Sequence, residues 1–375
     1  MSLLLSLVAL LGAAVQAGSD PAQEAIDAGI LAGKQGDHRK AIEHFQRARR
    51  AAPDSPQVLF YLGVAESKLS GRELRAIAWF GAYLTARPDA PNAEAVRKQI
   101  ERLQASQQQT LERLIQLAEE AGAALNASGE TSLYLCSAAK MWGEAGNVPA
   151  ALKALDRIRD DYGKKTWKQD ALASIADSQA AAGDHAGAKR TADSIQDPKE
   201  KAKALVAIAL HEAEADGIAA ALETAGRIEN VELLIDALIG IARVQAARGD
   251  RSGAEKSLKR AEELAGKPGT ASNGESPVPA ARKEILEEAG KRPLKNAAPE
   301  RLRVTDWTEL LDDSDRRNLH SLNLPEFLDL PGHLASLPPS KDLEIAVGTA
   351  LETAGRVLGG RRRVDACLKR LEPKK

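Results

Sequence analysis

The segments AIEHFQRARRAAP (residues 41–53) and AIAWFGAYLTARP (residues 76–88) carry a small residue, then a Phe, then a Pro at the same intervals. Ala41, Phe45 and Pro53 are matched by Ala76, Phe80 and Pro88, and upstream Gly29 is matched by Gly63. The physical logic is that of paired helices. A small residue lets two helices approach, a Phe one turn later fills the gap, and a Pro ends the helix because it cannot continue the hydrogen-bond ladder. Each segment therefore reads as the second helix of a helix-turn-helix hairpin. Gly36-Asp37 makes the turn of the first hairpin, and one extra residue stands in the turn of the second, near Ser70-Gly71.

A second series runs from about Ser132 to Leu264. Leu172, Leu205 and Leu238 form one column; Ile175, Ile208 and Ile241 form the next, each followed by Ala176, Ala209 or Ala242. The Leu-x2-Ile-Ala stripe thus recurs on one helical face. Gly183-Asp184 and Gly249-Asp250 mark turns, with Asp216-Gly217 as the middle variant. A fourth, less regular unit precedes these, with Leu135, Ala139, Gly146-Asn147, Ala151 and Leu155, and a longer connection follows it around Trp167. Each hairpin has one apolar face too large to bury by itself. Stability must come from stacking on neighbours.

These residues resemble tetratricopeptide repeats. The likeness is carried by the second helix of the first two units and by Leu59, Leu62 and Gly63, whereas Ala25 and Ala32 stand where that family often has large residues. The resemblance implies an all-α fold: an α-solenoid of stacked helix-turn-helix repeats with a helical C-terminal segment. It also implies a protein-protein interaction scaffold that binds a peptide or partner helix along a concave face lined by the first helix of each unit. On the family pattern the groove positions of the first two units are Ile26, Ile30, Phe60 and Val64, with Lys34 and Lys68 one turn on. Members that clamp a C-terminal carboxylate carry Lys and Asn at the first two of these places, which Ile26 and Ile30 cannot supply. The equivalent wall of the later units is Asp177, Lys203, Leu210, Glu214, Asp236 and Arg243, a mixed-charge set that names no single ligand.

The chain parses accordingly. Residues 1–17 read as a signal peptide: Leu3 to Val15 is an apolar run too short to span a bilayer, small residues follow, and cleavage is expected after Ala17. No Lys or Arg precedes the run, and Gly18, not Cys, follows the cut, so lipid anchoring is not indicated. The expectation is export to the periplasm or the extracellular space. Residues 20–90 hold two repeats, 91–130 bridging helices or a divergent repeat, and 131–265 four repeat units. Residues 266–300 read as a low-complexity linker with room for one short helix at Pro279 to Ala289. Residues 301–375 read as a segment of short helices, a candidate cap, with Asp306-Trp307-Thr308-Glu309 resembling a capping box and a closing pair at about Asp342 to Leu358 and Arg361 to Leu371.

Composition narrows the function classes. The 375 residues include only four each of Phe, Tyr and Trp, so the core is built mainly from Ala, Leu, Ile and Val. A net charge of -1 removes the electrostatic argument for nucleic acid as a partner. Cys136 and Cys367 are too few for a disulfide scaffold or a thiolate zinc site and read as buried free thiols, with a bridge between the two in an oxidising compartment as the alternative. No cofactor or metal is expected: His211-Glu212 with Glu214 lacks a second His at helical spacing. No catalytic residue is assigned. The alternative reading is an enzyme whose site lies in the C-terminal 75 residues, near His320, His333, Asp312, Asp313 and Glu326, with the repeats as a recruiting arm.

Overall fold

The computed structural model describes residues 20–125, 130–158, 164–266, 277–291, 302–316, 334, 337–338 and 340–371. Among these residues there are sixteen helices and no strand. The fold is all-α. The first five are α1 (Pro21–Lys34), α2 (His38–Ala51), α3 (Pro56–Glu66), α4 (Glu73–Ala86) and α5 (Ala93–Ala124). There follow α6 (Glu130–Glu144), α7 (Val148–Asp156), α8 (Lys164–Ala181), α9 (His185–Ser194), α10 (Pro198–Glu214) and α11 (Ile218–Ala225). The last are α12 (Val231–Ala247), α13 (Arg251–Ala265), α14 (Pro277–Lys291), α15 (Val304–Arg316) and α16 (Lys341–Leu371). Residues 1–110, 301–329 and 356–375 form one compact unit, and residues 111–300 and 330–355 another.

In the first unit α1 pairs with α2 and α3 with α4, and α2 packs on α3. The Phe of each second helix lies against the glycine of its own first helix. A Cβ on Gly29 would come within 2.5 Å of the Phe45 ring, and one on Gly63 within 2.6 Å of Phe80. Both glycines are therefore set by close approach. The second hairpin lacks a capping Asp at its lengthened turn. Glu66, wholly buried, holds the turn instead by accepting from Arg72 and Arg75, each at 3.1 Å.

In the second unit α6–α7, α8–α9, α10–α11 and α12–α13 are the four hairpins, and their first helices pack in sequence: α6 on α8, α8 on α10, α10 on α12. The columns read from sequence are interior. Leu172, Leu205, Leu238, Ile175, Ile208, Ile241 and the Ala after each Ile are all buried. Four turns of the chain share one construction. Gly36, Gly146, Gly183 and Gly249 adopt positive φ, and the following Asp37, Asn147, Asp184 or Asp250 caps the next helix. The Asp216-Gly217 turn differs. Asp216 takes the left-handed position at φ 69° and Gly217 supplies no side-chain cap.

Four residues before each turn of the last three hairpins, a buried polar side chain reaches the second helix. Thr191 Oγ1 donates to Gln179 Oε1 at 2.6 Å, Thr224 Oγ1 to Glu212 Oε2 at 2.6 Å, and Ser257 Oγ to Gln245 Oε1 at 2.8 Å. These clamps satisfy polar groups that would otherwise be stranded in an apolar interior.

Three expectations are corrected. The stretch 266–300, read as a linker with room for a short helix at Pro279 to Ala289, carries a longer one, α14, which spans Pro277–Lys291 and packs on α12 and α13. Val278, Ala281 and Ile285, at positions i, i+3 and i+7, form a stripe narrow enough to escape a composition reading yet sufficient to dock. Residues Asp342 to Leu371 are not a pair of helices broken at Gly359-Gly360. One helix runs through, because Val357, Leu358 and Val364 are buried on both sides of the glycines and outweigh the ~1 kcal/mol that each Gly costs relative to Ala. Helix α15 begins at Val304, so Asp306 lies inside its first turn and accepts from the Arg303 backbone N–H at 3.0 Å. The region 91–130 resolves into the single long helix α5 up to Ala124, with Ile100, Leu103, Leu111, Leu114 and Ile115 buried.

Candidate binding surfaces

Helices α1 and α3 carry the groove positions expected for the first two hairpins, and they touch one another. Ile26 is buried and leaves the strip, a correction to its reading as a groove residue. Ile30, Phe60 and Val64 are half-buried, and Lys34 and Lys68 are exposed. Phe60 is held from behind: its ring lies 6.1 Å from Phe80 and 5.3 Å from Tyr83, both of α4, and 5.8 Å from Tyr61. The face is thus a rigid aromatic floor with aliphatic flanks. Leu31, 58% exposed, is an apolar residue the column reading passed over. Its signal was present in the sequence, since it sits beside Ile30 and off the stripe of Ala22, Ile26, Gly29 and Ala32 that α1 buries.

The later hairpins present charge instead, and neighbouring repeats pair it. Lys140 of α6 bonds Asp170 of α8, and Asp177 of α8 bonds His211 of α10 at 3.0 Å. Arg248, following α12, reaches Asp216 at 2.7 Å, and Arg243 of α12 reaches Glu284 of α14 at 3.4 Å. Lys203 pairs with Glu200 on its own helix at 2.8 Å. Leu210 fills the space above Gly240. The Asp177 bond, offset in part by burial, raises the pKa of His211, while partial burial and Glu232 raise that of Asp236. Of the mixed-charge wall, Asp177 and Arg243 bond a neighbouring helix, and Lys203 and Glu214 pair within their own helix.

Residues 26–91 match the family model described as tetratricopeptide repeat. The first two hairpins are tetratricopeptide repeats. A comparison with curated proteins finds no match to the chain. Tetratricopeptide repeats suggest a protein-interaction role for the stretch they occupy.

Against that pair stands the C-terminal segment, where the enzyme alternative places its site. Asp306, Glu309 and Asp312 of α15 and Arg363 and Cys367 of α16 line an open cleft of about 610 Å³. Two of its three carboxylates are engaged: Asp306 pairs with Arg303 at 3.4 Å and Arg370 at 3.5 Å, and Asp312 pairs with Arg49 at 2.9 Å. Burial raises the pKa of Cys367, which keeps the sulfur a thiol and so a poor nucleophile at neutral pH. Cys136, buried on α6, is pushed up to about 11 by the same cause, and both thiols are free. His320, His333 and Glu326 lie outside the described residues, as does the side chain of Asp313. Among the described residues no group of three or more His, Cys, Asp or Glu is arranged to hold a metal, and no helix is long and apolar enough to cross a membrane.

Proposed function

We propose that the protein is an exported interaction scaffold whose tetratricopeptide pair binds a peptide or partner helix along the face bearing Ile30, Phe60 and Val64, edged by Lys34 and Lys68. The observation that carries the reading is the contrast between the two walls. In the later repeats Asp177, Lys203 and Arg243 are satisfied by neighbours, whereas the α1–α3 face keeps an apolar floor half-exposed beside two exposed lysines. Such a face favours an apolar segment with carboxylates at its edge, and a protein ligand over nucleic acid. Export rests on the apolar run Leu3 to Val15 and the small residues ending at Ala17, which lie outside the described residues.

The test is crosslinking of partners to the mature chain from Gly18 onward, compared with Ile30→Asp and Val64→Asp variants. Both should release the crosslinked partner while circular dichroism and melting remain those of the parent. Retention of the partner by both variants removes the face from consideration. N-terminal sequencing of the protein recovered outside the cytoplasm should begin at Gly18, and recovery of an intact Met1 there would refute cleavage.

A further inference from the structure

The two second helices of the tetratricopeptide pair are buried to very different extents. In α2 only Ala41, Ile42, Phe45 and Ala48 are buried, whereas every residue of α4 from Leu74 to Leu84 is. The difference is α15, which packs on α4 from a distant part of the chain. Trp307 is wholly buried. Its indole lies over Gly81, where a Cβ would come within 2.5 Å of the ring. The indole N–H donates to Thr85 Oγ1 at 2.9 Å, and that hydroxyl in turn donates to the Gly81 carbonyl at 2.8 Å. Leu310 and Leu311 are buried as well. Five residues beyond the Trp, Asp312 pairs with Arg49 of α2 at 2.9 Å, and the Arg49 guanidinium is itself fixed over the Trp79 ring, 5.2 Å from its centroid.

These are the parts of a helix-recognition site. A notch without a side chain accepts one indole, a hydroxyl at its rim satisfies the indole N–H, and a cation stacked on an aromatic ring reads a carboxylate one and a half turns further along. Trp and Arg in such places dominate the energetics of helix docking between separate chains. The Trp307–Thr85 contact joins residues 222 positions apart, so local sequence does little to hold it; side-chain complementarity does.

We propose that the outer face of α4, together with Arg49, is a receptor site for an amphipathic helix of pattern Trp-x2-Leu-Leu-Asp, filled at rest by the chain's own α15 and open to a partner protein's helix of that pattern when α15 gives way. The site is separate from the Ile30–Phe60–Val64 face, and either can fail without the other.

The probe is a fluorescein-labelled synthetic peptide of residues 302–316, LRVTDWTELLDDSDR, titrated by anisotropy against the full chain. A Trp307→Ala chain, whose resident helix has lost its anchor, should bind the peptide at least tenfold more tightly than the parent chain does, and a W307A peptide should bind neither. Failure of a folded Trp307→Ala chain to bind, or equal binding by parent and variant, overturns the proposal. If Trp307→Ala does not fold, Arg49→Glu serves in its place. That chain should prefer a D312R peptide to the unaltered one by tenfold or more, and the absence of that preference equally overturns the proposal.

Discussion

The hairpin α8–α9 and its successor α10–α11 occupy the same repeat frame and bury the same Leu, Ile and Ala columns, yet they close their turns with different chemistry. In the first, Asp184 caps α9 and a neutral clamp joins Gln179 to Thr191. In the second the cap is missing, Asp216 holds a left-handed backbone, and the clamp residue is Glu212, buried and joined to Thr224 and to Lys189 at 2.7 Å. The second tetratricopeptide repeat repeats the exchange: its turn also lacks a side-chain cap, and Glu66 stands buried just before it, joined to Arg72 and Arg75. Where the turn loses its capping carboxylate, a buried carboxylate on the preceding helix takes up the anchoring role. The contrast teaches that the turn and the interior clamp are one device with two forms.

The largest effect should come from breaking the charged form where it is most buried. Glu66→Ala breaks the buried ion pair with Arg75, itself 3% exposed, and should cost about 3–5 kcal/mol in chemical denaturation. A loss below 1 kcal/mol would show that the ion pair does not anchor the turn. Next, Thr224→Val removes a hydrogen bond to a carboxylate and should cost about 1.5–3 kcal/mol, whereas Thr191→Val removes a neutral one and should cost about 0.5–1.5 kcal/mol. Equal losses in parallel urea titrations would erase the distinction between the two hairpins.

The caps sharpen the comparison further. Asp184→Ala should lose about 1 kcal/mol. Gly217→Asp should gain a few tenths of a kcal/mol, because Asp37 and Asn147 cap helices whose residue three further on is Lys40 or Ala150, so Ala220 also leaves room for a capping carboxylate. Adding Asp216→Gly should increase the gain, because glycine takes the left-handed φ of 69° without strain; no gain in melting stability from either change would show that the turn does not lack a cap. The smallest effect concerns pH. His211 sits between Asp177 and Glu214, and the folded state raises its pKa above the ordinary 6.5. Its charged form therefore adds stability that is complete below pH 6.5 and fades as pH rises through the raised value. Melting of a His211→Gln variant should converge on that of the parent at pH 8 and fall behind it at pH 5.5. A constant gap across that range would assign the contact no charge.

Much of this was legible before any coordinates. The Phe45 and Phe80 intervals, the Leu-Ile-Ala columns and the Gly-Asp turns follow from contacts within a hairpin or between adjacent ones, which a regular spacing exposes. The clamps are not legible in this way: Gln179, Glu212 and Gln245 share a column, but they are polar residues on a buried face, which apolar periodicity does not mark. Helix α14 was legible as a short helix at Pro279 to Ala289, but its docking was not, because three apolar residues in a polar stretch leave little compositional trace. Local sequence alone fails most clearly in ALETAGR. At residues 221–227 it ends a helix, with Gly226 as the C-cap, and at 350–356 it lies inside α16. The heptapeptide is the same, and the packing beyond its last residue decides. Of the binding face, the sequence identified Ile30, Phe60, Val64 and the lysines as neighbours but could not tell that Ile26 is interior, since a first helix shows apolar residues both to its hairpin and to the groove.

The seat of Trp307 on α4 has a consequence for how the chain comes to be made. A polypeptide grows from its N-terminus, so α4 leaves the ribosome long before the helix that covers it. At translation rates of about 5–20 residues per second, the 222 residues separating Thr85 from Trp307 correspond to a delay on the order of 10 to 40 seconds. Throughout that interval the nascent tetratricopeptide pair offers a bare greasy flank, and whatever attends the newborn chain must shield it there first.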